Sequence, residues 1–284
     1  MLEPTYDALK HLSSFFHKTP LYLVGGANRN RLLFLPESDF DICSALKPQE
    51  VVQLFQHNNA VRVIETAPEF GTVLVLFAYK GVNYQFEHTT FRKDVYPEGG
   101  GHKPEDISFV ADIRQDAQRR DFTINAVYMD CATGHMIDPL GGLQDLRAMR
   151  LNCCKEPAQT LGDDGVRILR MMRFACELNF TIDAELFRTA KANIGYLADI
   201  SKERLQQELS KILLSDARYE NGSLCGVNAC LRGVLMLREI GALPYLFTDI
   251  PLQRYTKQYL HALATLPLLQ NPPISAPLPR QKSC

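Results

Sequence analysis

The sequence has 284 residues, 46% hydrophobic and 22% charged, a composition that suits a globular chain with room for two or three domains. With 31 basic and 32 acidic residues the net charge is −1, which excludes a uniformly basic nucleic-acid coat but not a local basic surface. No stretch is apolar for long enough to span a membrane, and the start MLEPTYDALKHL lacks the basic and apolar regions of a signal peptide; the expectation is a cytoplasmic protein. The 8 cysteines are scattered without a C-x-x-C pair, so neither zinc nor a disulfide framework is expected.

In chain order, LYLVGG is an apolar run closed by a glycine pair, the pattern of a buried strand entering a turn. DFDICSA reads as a second strand. KPQEVVQLFQHNNA places Val51, Val52, Leu54 and Phe55 at helical spacing. GTVLVLFAYKG and VNYQFEHTTFR read as two strands joined at Lys80-Gly81. DVYPEGGGHKPEDISF, with three consecutive glycines and two prolines, reads as a loop. After about residue 153 the strand pattern stops. DDGVRILRMMRFACELNF, AELFRTAKANIGYLADI, KERLQQELSKILLSD and LRGVLMLREIGALPYLF read as amphipathic helices. NPPISAPLPRQKSC reads as an unstructured tail. A mixed-sheet part followed by a helical part is the α+β class. From Arg147 to Arg173, six basic residues face three acids, a local basic stretch.

The sharpest local feature is GGANRNRLLFLPESDFDIC. In a continuous strand Asp39 and Asp41 would share a face, roughly 6–7 Å apart, with Phe40 turned to the core. Such a pair can hold hard divalent ions through oxygen, and metal ions placed this way stabilise the attacking and leaving oxygens of a phosphoryl transfer. Gly25 and Gly26 let backbone amides approach a phosphate, and Arg29 follows at the helix start. Glu87, on the strand QFEHTTFR, is available as a third carboxylate; His88 faces the other way.

Several ordered segments carry a resemblance. LYLVGGANR with DFD, FGTVLV, EHTTFRKD, RRDFTINAVYMD, IDPLGGLQDLRA, DDGVRILRMMRFA and SKERLQQELSKIL resemble motifs of the class II tRNA nucleotidyltransferases and the related bacterial poly(A) polymerases, over residues 20 to 215. The resemblance implies a polymerase-β-like catalytic head with a mixed or antiparallel sheet (1–152), an all-α neck that selects the nucleotide (153–216), a shortened helical body (217–270) and a disordered tail (271–284). It implies Asp39 and Asp41 as Mg²⁺ ligands, Glu87 as supporting carboxylate, and Gly26, Arg29 and Arg120 at the bound nucleotide. Arg92 matches a family position too. Implied partners are CTP, ATP and the 3′ end of tRNA, to which C and A are added with pyrophosphate release.

The helix expected to begin near Asp163 has a logic of its own. Asp164 and Arg167, at i and i+3, would be neighbours on it. Asp accepts hydrogen bonds and Arg donates, so the pair fits the amino group and ring acceptor of cytosine or adenine. Guanine and uracil offer the reverse, and each unpaired buried polar group costs roughly 1–3 kcal/mol. In the family, the matching Asp and Arg do this reading, and the resemblance places Arg170 and Arg173 near the nucleotide or RNA. Ile168, Met172 and Ala175 are expected in the core.

Three departures from the family pattern stand out. Asn30 replaces the usual Asp after the motif arginine, Asp163 replaces a Glu, and Gly-His-Lys occupies the flexible loop. They keep open a CC- or A-adding specialist, a poly(A) polymerase and a catalytically weak RNA-binding relative. A nucleotidyltransferase of small molecules would share only the G-G and D-x-D unit.

Overall fold

The computed structural model describes residues 3–96, 104–219 and 229–247. The chain starts with α1 (Glu3–Ser13), whose Ala8, Leu9 and Leu12 are fully buried at helical spacing. β1 (Tyr22–Val24) leads through Gly25 into α2 (Gly26–Leu32). Next come β2 (Asp41–Ser44), α3 (Pro48–Phe55), β3 (Val61–Ala67), β4 (Thr72–Tyr79) and β5 (Val82–Thr90). Lys80 and Gly81, both at positive φ (48° and 79°), make the expected two-residue turn between β4 and β5. β6 (Arg92–Val95), β7 (Asp106–Phe109), α4 (Ile113–Gln118), β8 (Tyr128–Asp130), β9 (Met136–Ile137) and α5 (Gly142–Ala148) follow.

One seven-stranded sheet runs in the order β3-β4-β5-β2-β1-β8-β9. β2 and β5 pair in parallel and the other neighbours antiparallel, a mixed sheet as expected. Alternation puts Leu23 and Ile42 into one apolar cluster with α1 and α3, and Val24 and Cys43 into another with Ala117 and Tyr128. Both faces of the central strands are therefore covered.

The helical part holds β10 (Arg150–Leu151), α6 (Pro157–Asp163), α7 (Arg167–Glu177), β11 (Thr181–Ile182), α8 (Ala184–Ala192), α9 (Lys202–Leu213), α10 (Ala229–Ile240) and α11 (Leu243–Leu246). Ile168, Met171, Met172 and Ala175 of α7 are fully buried, as the sequence pattern requires. On α10, Gly233 permits close packing: a Cβ there would stand 2.5 Å from the Ile212 side chain. By packing, the described residues form two compact units. One comprises 3–95, 104–148 and 153–155; the other comprises 96, 149–152, 156–219 and 229–247. Among the described residues no helix is long and apolar enough to cross a membrane.

Several expectations need correction. Asp39 lies outside the strand, at φ 52°, and β2 begins at Asp41. The segment read wholly as a loop contains paired strands: Arg92 to Val95 face Phe109 to Asp106. Its middle, 97–103, with the Gly-His-Lys element, falls outside the described residues. A strand does follow residue 153, since Thr181–Ile182 pairs in parallel with Arg150–Leu151. The helix expected from Asp163 is broken at Asp164, which is extended (φ −156°, ψ 109°). Gly165 then meets the Tyr196 carbonyl so closely that a Cβ would stand 2.6 Å away. LRGVLMLREIGALPYLF forms two helices, because Gly241 at φ 87° ends the first. The tail 271–284 is outside the described residues.

Candidate active site

The end of β1 is shaped by Gly25, whose backbone (φ 83°, ψ −143°) is glycine's own region. A Cβ here would also stand 3.3 Å from the Asp41 carboxylate, so the glycine turn lies directly against that acid. Asp41 is the parallel partner of Glu87, and the two side chains share the face opposite Ile42 and His88. His88 is fully buried and bonds Ser44 Oγ at 2.8 Å, while Glu87 is exposed. Asp39, exposed, is drawn in by the turn before β2 rather than by strand alternation. Burial first, then the Glu87 and Asp39 charges, push the Asp41 carboxyl up to about 6 against the pull of Arg120. Asp39, Asp41, Glu87, Arg120 and the glycine turn are thus one electrostatic neighbourhood.

Two arginines are held in this neighbourhood by buried polar partners. Arg29 folds back towards the glycine pair, its Nη2 3.7 Å from where a Gly26 Cβ would sit. Its Nη1 donates to Asn125 Oδ1 at 2.7 Å, and its Nε and Nη2 donate to Asn30 Oδ1 at 3.1 and 2.8 Å. Arg120 donates through Nη2 to Asp116 at 3.0 Å and through Nε to the Tyr128 hydroxyl at 3.0 Å. Asp116 is fully buried and also receives Arg119 Nε and Tyr128 Oη, each at 2.7 Å. Burial alone would raise this carboxyl, but Arg120 and Arg119 beside it hold it well below the usual carboxylate range. Arg92 pairs with Asp94 at 2.9 Å and donates to the Phe70 carbonyl. Asn125, Asp116 and Tyr128 were not singled out from sequence, although all three lie in or just before RRDFTINAVYMD.

Among the described residues no group of three or more Asp, Glu, His or Cys side chains is arranged to hold a metal ion. The donor chemistry still suits a hard divalent cation. Asp41, crowded by Glu87 and Asp39, gains from a positive charge, and Asp39 with Asp41 offers oxygen ligands while leaving other positions to water and phosphate.

In the helical unit, Asp164 and Arg167 are not stacked on one helix, since Asp164 precedes α7. The Asp164 carboxylate takes Arg204 in a fork, 2.6 Å to Nη2 and 3.3 Å to Nη1, and accepts the Val166 N–H at 3.2 Å. Arg167 donates Nη1 to the Thr160 carbonyl at 3.0 Å and to Asp163 at 3.4 Å. Arg173 is buried on Glu208 at 2.6 Å and Glu177 at 3.3 Å. Arg170, about one-third exposed, lies 3.8 Å from Glu208. Arg204 was missed from sequence; its signal was its place within SKERLQQELSKIL.

Comparison with known proteins bears directly on this arrangement. Residues 21–152 match the model of the poly A polymerase head domain, and residues 179–220 match that of the probable RNA and SrmB-binding site of polymerase A. The CCA-adding enzyme of Enterococcus faecalis is 34% identical over 231 residues, covering 81% of this chain and 54% of that protein. The CCA-adding enzyme of a Geobacillus species is 38% identical over 215 residues, 75% of this chain and 50% of that one. The chain belongs to the family of tRNA nucleotidyltransferases and bacterial poly(A) polymerases. A solved structure of the Bacillus stearothermophilus CCA-adding enzyme in complex with CTP superposes with a TM-score of 0.65 at 30% identity, over 94% of this chain and 64% of that one. The family's head is therefore the seven-stranded unit bearing Asp39, Asp41 and Glu87. The chain spans about half the length of the curated relatives it matches.

Proposed function

We propose that this chain is a template-independent nucleotidyltransferase that adds C and A to the 3′ end of tRNA from CTP and ATP, working in the cytoplasm. The observation that carries the reading is the Asp41 carboxylate, set between the Gly25 turn, its strand partner Glu87 and the part-buried Arg120. In the reaction the RNA 3′-hydroxyl oxygen bonds to the α-phosphorus, the bond to the β-phosphate oxygen breaks, and pyrophosphate leaves. Residues 1–152 are assigned to this chemistry. The Gly25-Gly26 backbone lets the triphosphate approach, and Arg29 and Arg120 meet its charge. Asp39 and Asp41 would hold Mg²⁺, with Glu87 as the supporting carboxylate. When bound, the ion offsets charge on the transferring phosphoryl group.

Residues 153–216 are assigned to base choice. Asp164 accepts from the amino group of cytosine or adenine and Arg167 donates to the ring nitrogen beside it. A bound base takes over contacts that Arg204, Asp163 and Thr160 make in its absence. Arg170, on the same helix, is the more accessible cation for RNA, whereas Arg173 serves α7 packing through Glu208 and Glu177.

The test uses Mg²⁺ and a tRNA lacking its terminal CCA, supplied with CTP, ATP or both. Ordered addition of CC and then A is expected. Addition of CC alone or A alone narrows the activity to a specialist, and no incorporation on any tRNA end overturns the proposal.

A further inference from the structure

We infer that Tyr6 is a positioning residue that fixes the loop carrying Asp39 onto the first helix. Tyr6 stands on α1, whose Ala8, Leu9 and Leu12 are fully buried, so its side chain rises from a rigid base. It meets the end of α2 and the connection to β2 at three points. At the end of α2, the Arg31 guanidinium lies over the Tyr6 ring, 3.9 Å from its centroid. Along the connection, the Tyr6 hydroxyl donates to Glu37. Just before β2, the Phe40 ring packs edge-on to Tyr6, with centroids 6.0 Å apart and planes at 77°. Phe40 lies between Asp39 and Asp41, so this last contact falls within the candidate carboxylate set.

That connection needs holding. It contains two non-glycine residues in the left-handed region, Phe34 at φ 57° and Asp39 at φ 52°. Phe34 is almost wholly exposed, and Asp39 is exposed too. Asn30 holds the Pro36 carbonyl at 2.7 Å and Leu35 is buried, but both anchors come before Glu37. Tyr6 touches Glu37 on one side of Asp39 and Phe40 on the other, and so brackets the exposed acid.

Tyrosine chemistry suits the task. Its ring takes a cation on one face and an aromatic edge beside it, while its hydroxyl donates to a carboxylate. Burial first, then the bond to Glu37, push that hydroxyl up to about 12, so it stays a neutral donor. Removing Tyr6 takes no charge out of the protein, so a change in metal affinity reports where Asp39 sits. Tyr6 belongs to none of the motifs that carry the family resemblance, which begin at Leu21. The inference rests on reading Asp39 as a metal-side carboxylate.

The experiment compares the full chain with Tyr6→Phe, Tyr6→Ala and Leu12→Ala, the last a control for lost α1 packing. Four quantities are read: hydrogen exchange over residues 37–41, Mn²⁺ binding by electron paramagnetic resonance, the Mg²⁺ midpoint of CTP incorporation, and thermal unfolding. Tyr6→Ala should speed exchange in 37–41, weaken Mn²⁺ binding and raise the Mg²⁺ midpoint, the last two by roughly tenfold. Tyr6→Phe loses only the Glu37 bond and should shift both metal readouts by roughly threefold. Leu12→Ala should lower the melting temperature without moving metal affinity. Unchanged exchange and metal affinity in both Tyr6 variants, or Leu12→Ala weakening Mn²⁺ binding as far as Tyr6→Ala, would overturn the inference. If Tyr6→Ala does not fold, Tyr6→Phe decides it. If the parent protein incorporates no nucleotide, the proposed function fails, and exchange with Mn²⁺ binding then decides the role of Tyr6; a parent that binds no Mn²⁺ would overturn the inference as well.

Discussion

Asp116 offers the most demanding test of how the head is built. The carboxylate is fully buried and accepts from Arg119, Arg120 and Tyr128 at 2.7 to 3.2 Å. The substitution Asp116→Asn would keep the shape, remove the charge between two arginines and turn an N–H₂ group towards their donors. Breaking a buried pair by removing one partner costs about 3–5 kcal/mol. The carboxyl is held below its ordinary 3.8 in the fold, so the unfolded chain binds the proton more readily. Its stabilisation is therefore present above that value and is lost as pH falls through it towards the folded value. Urea unfolding followed by circular dichroism, from pH 7 down to pH 2, should show the full deficit of Asp116→Asn at pH 7 and convergence with the parent in acid. A deficit below about 1 kcal/mol at pH 7, or one that persists unchanged to the lowest pH, would refute the reasoning.

Asp39→Ala and Asp41→Ala should each abolish nucleotide incorporation while leaving the circular dichroism spectrum intact; activity surviving in either removes it from the metal site. Glu87→Gln removes a charge that raises Asp41, so it should lower the Asp41 pKa from about 6 and shift the acid limb of the rate profile down. In the parent, a raised carboxyl makes the fold bind more protons than the unfolded chain between 3.8 and about 6, so stability declines as pH rises through that window. An acid limb that does not move in Glu87→Gln would count against the carboxylate cluster. Asp164→Ala should relax discrimination against UTP and GTP more than it slows CTP addition, and unchanged selectivity in a four-nucleotide competition would remove its base-reading role. Gly142→Ala places a Cβ 2.2 Å from the Thr123 carbonyl oxygen and should destabilise the head by about 3 kcal/mol or more, read as a lowered urea midpoint; an unchanged midpoint would mean that the backbone yields there.

The strands and helices were legible where a single rule governed them. Val73, Val75 and Phe77 alternate as a half-buried strand must, and Lys80-Gly81 is a turn by its own chemistry. The candidate carboxylate set was legible as residue types, but not as geometry. Asp39 and Asp41 come together because the chain turns through a left-handed residue before β2, and no alternation rule encodes that. The parallel pairing of Asp41 with Glu87 joins segments far apart in sequence, so it depends on the sheet order. Asp164 was placed on a helix because D-x-x-R has helical spacing. In the structure Asp164 is extended between α6 and α7, and Gly165 lies close to Tyr196, a tertiary contact that helical spacing does not encode. The β6–β7 hairpin was hidden by the glycines and prolines between its strands.

The proposed place of base choice, at one end of α7, fits the way the helical unit is held. The middle of that helix is immobilised: Arg173 is locked onto Glu208 and Glu177, and its apolar residues are buried. Its far end is capped from α10, where Arg232 donates to the Ala175 carbonyl at 2.6 Å and the Phe180 carbonyl at 2.7 Å. A cation at the carbonyl end of a helix also meets the favourable end of its dipole. The residues around Asp164 differ. Gly162, Asp163 and Asp164 are half-buried, and Asp163 and Asp164 are held by ion pairs, with Arg167 and Arg204 respectively. Of these pairs Arg204–Asp164 is the more solvated, with Arg204 36% exposed, and it exchanges partners at smaller net cost than the buried Arg173 cluster. Under the proposed function, a helix held at its middle and far end keeps its core unchanged while Asp164, released from Arg204, meets cytosine and then adenine.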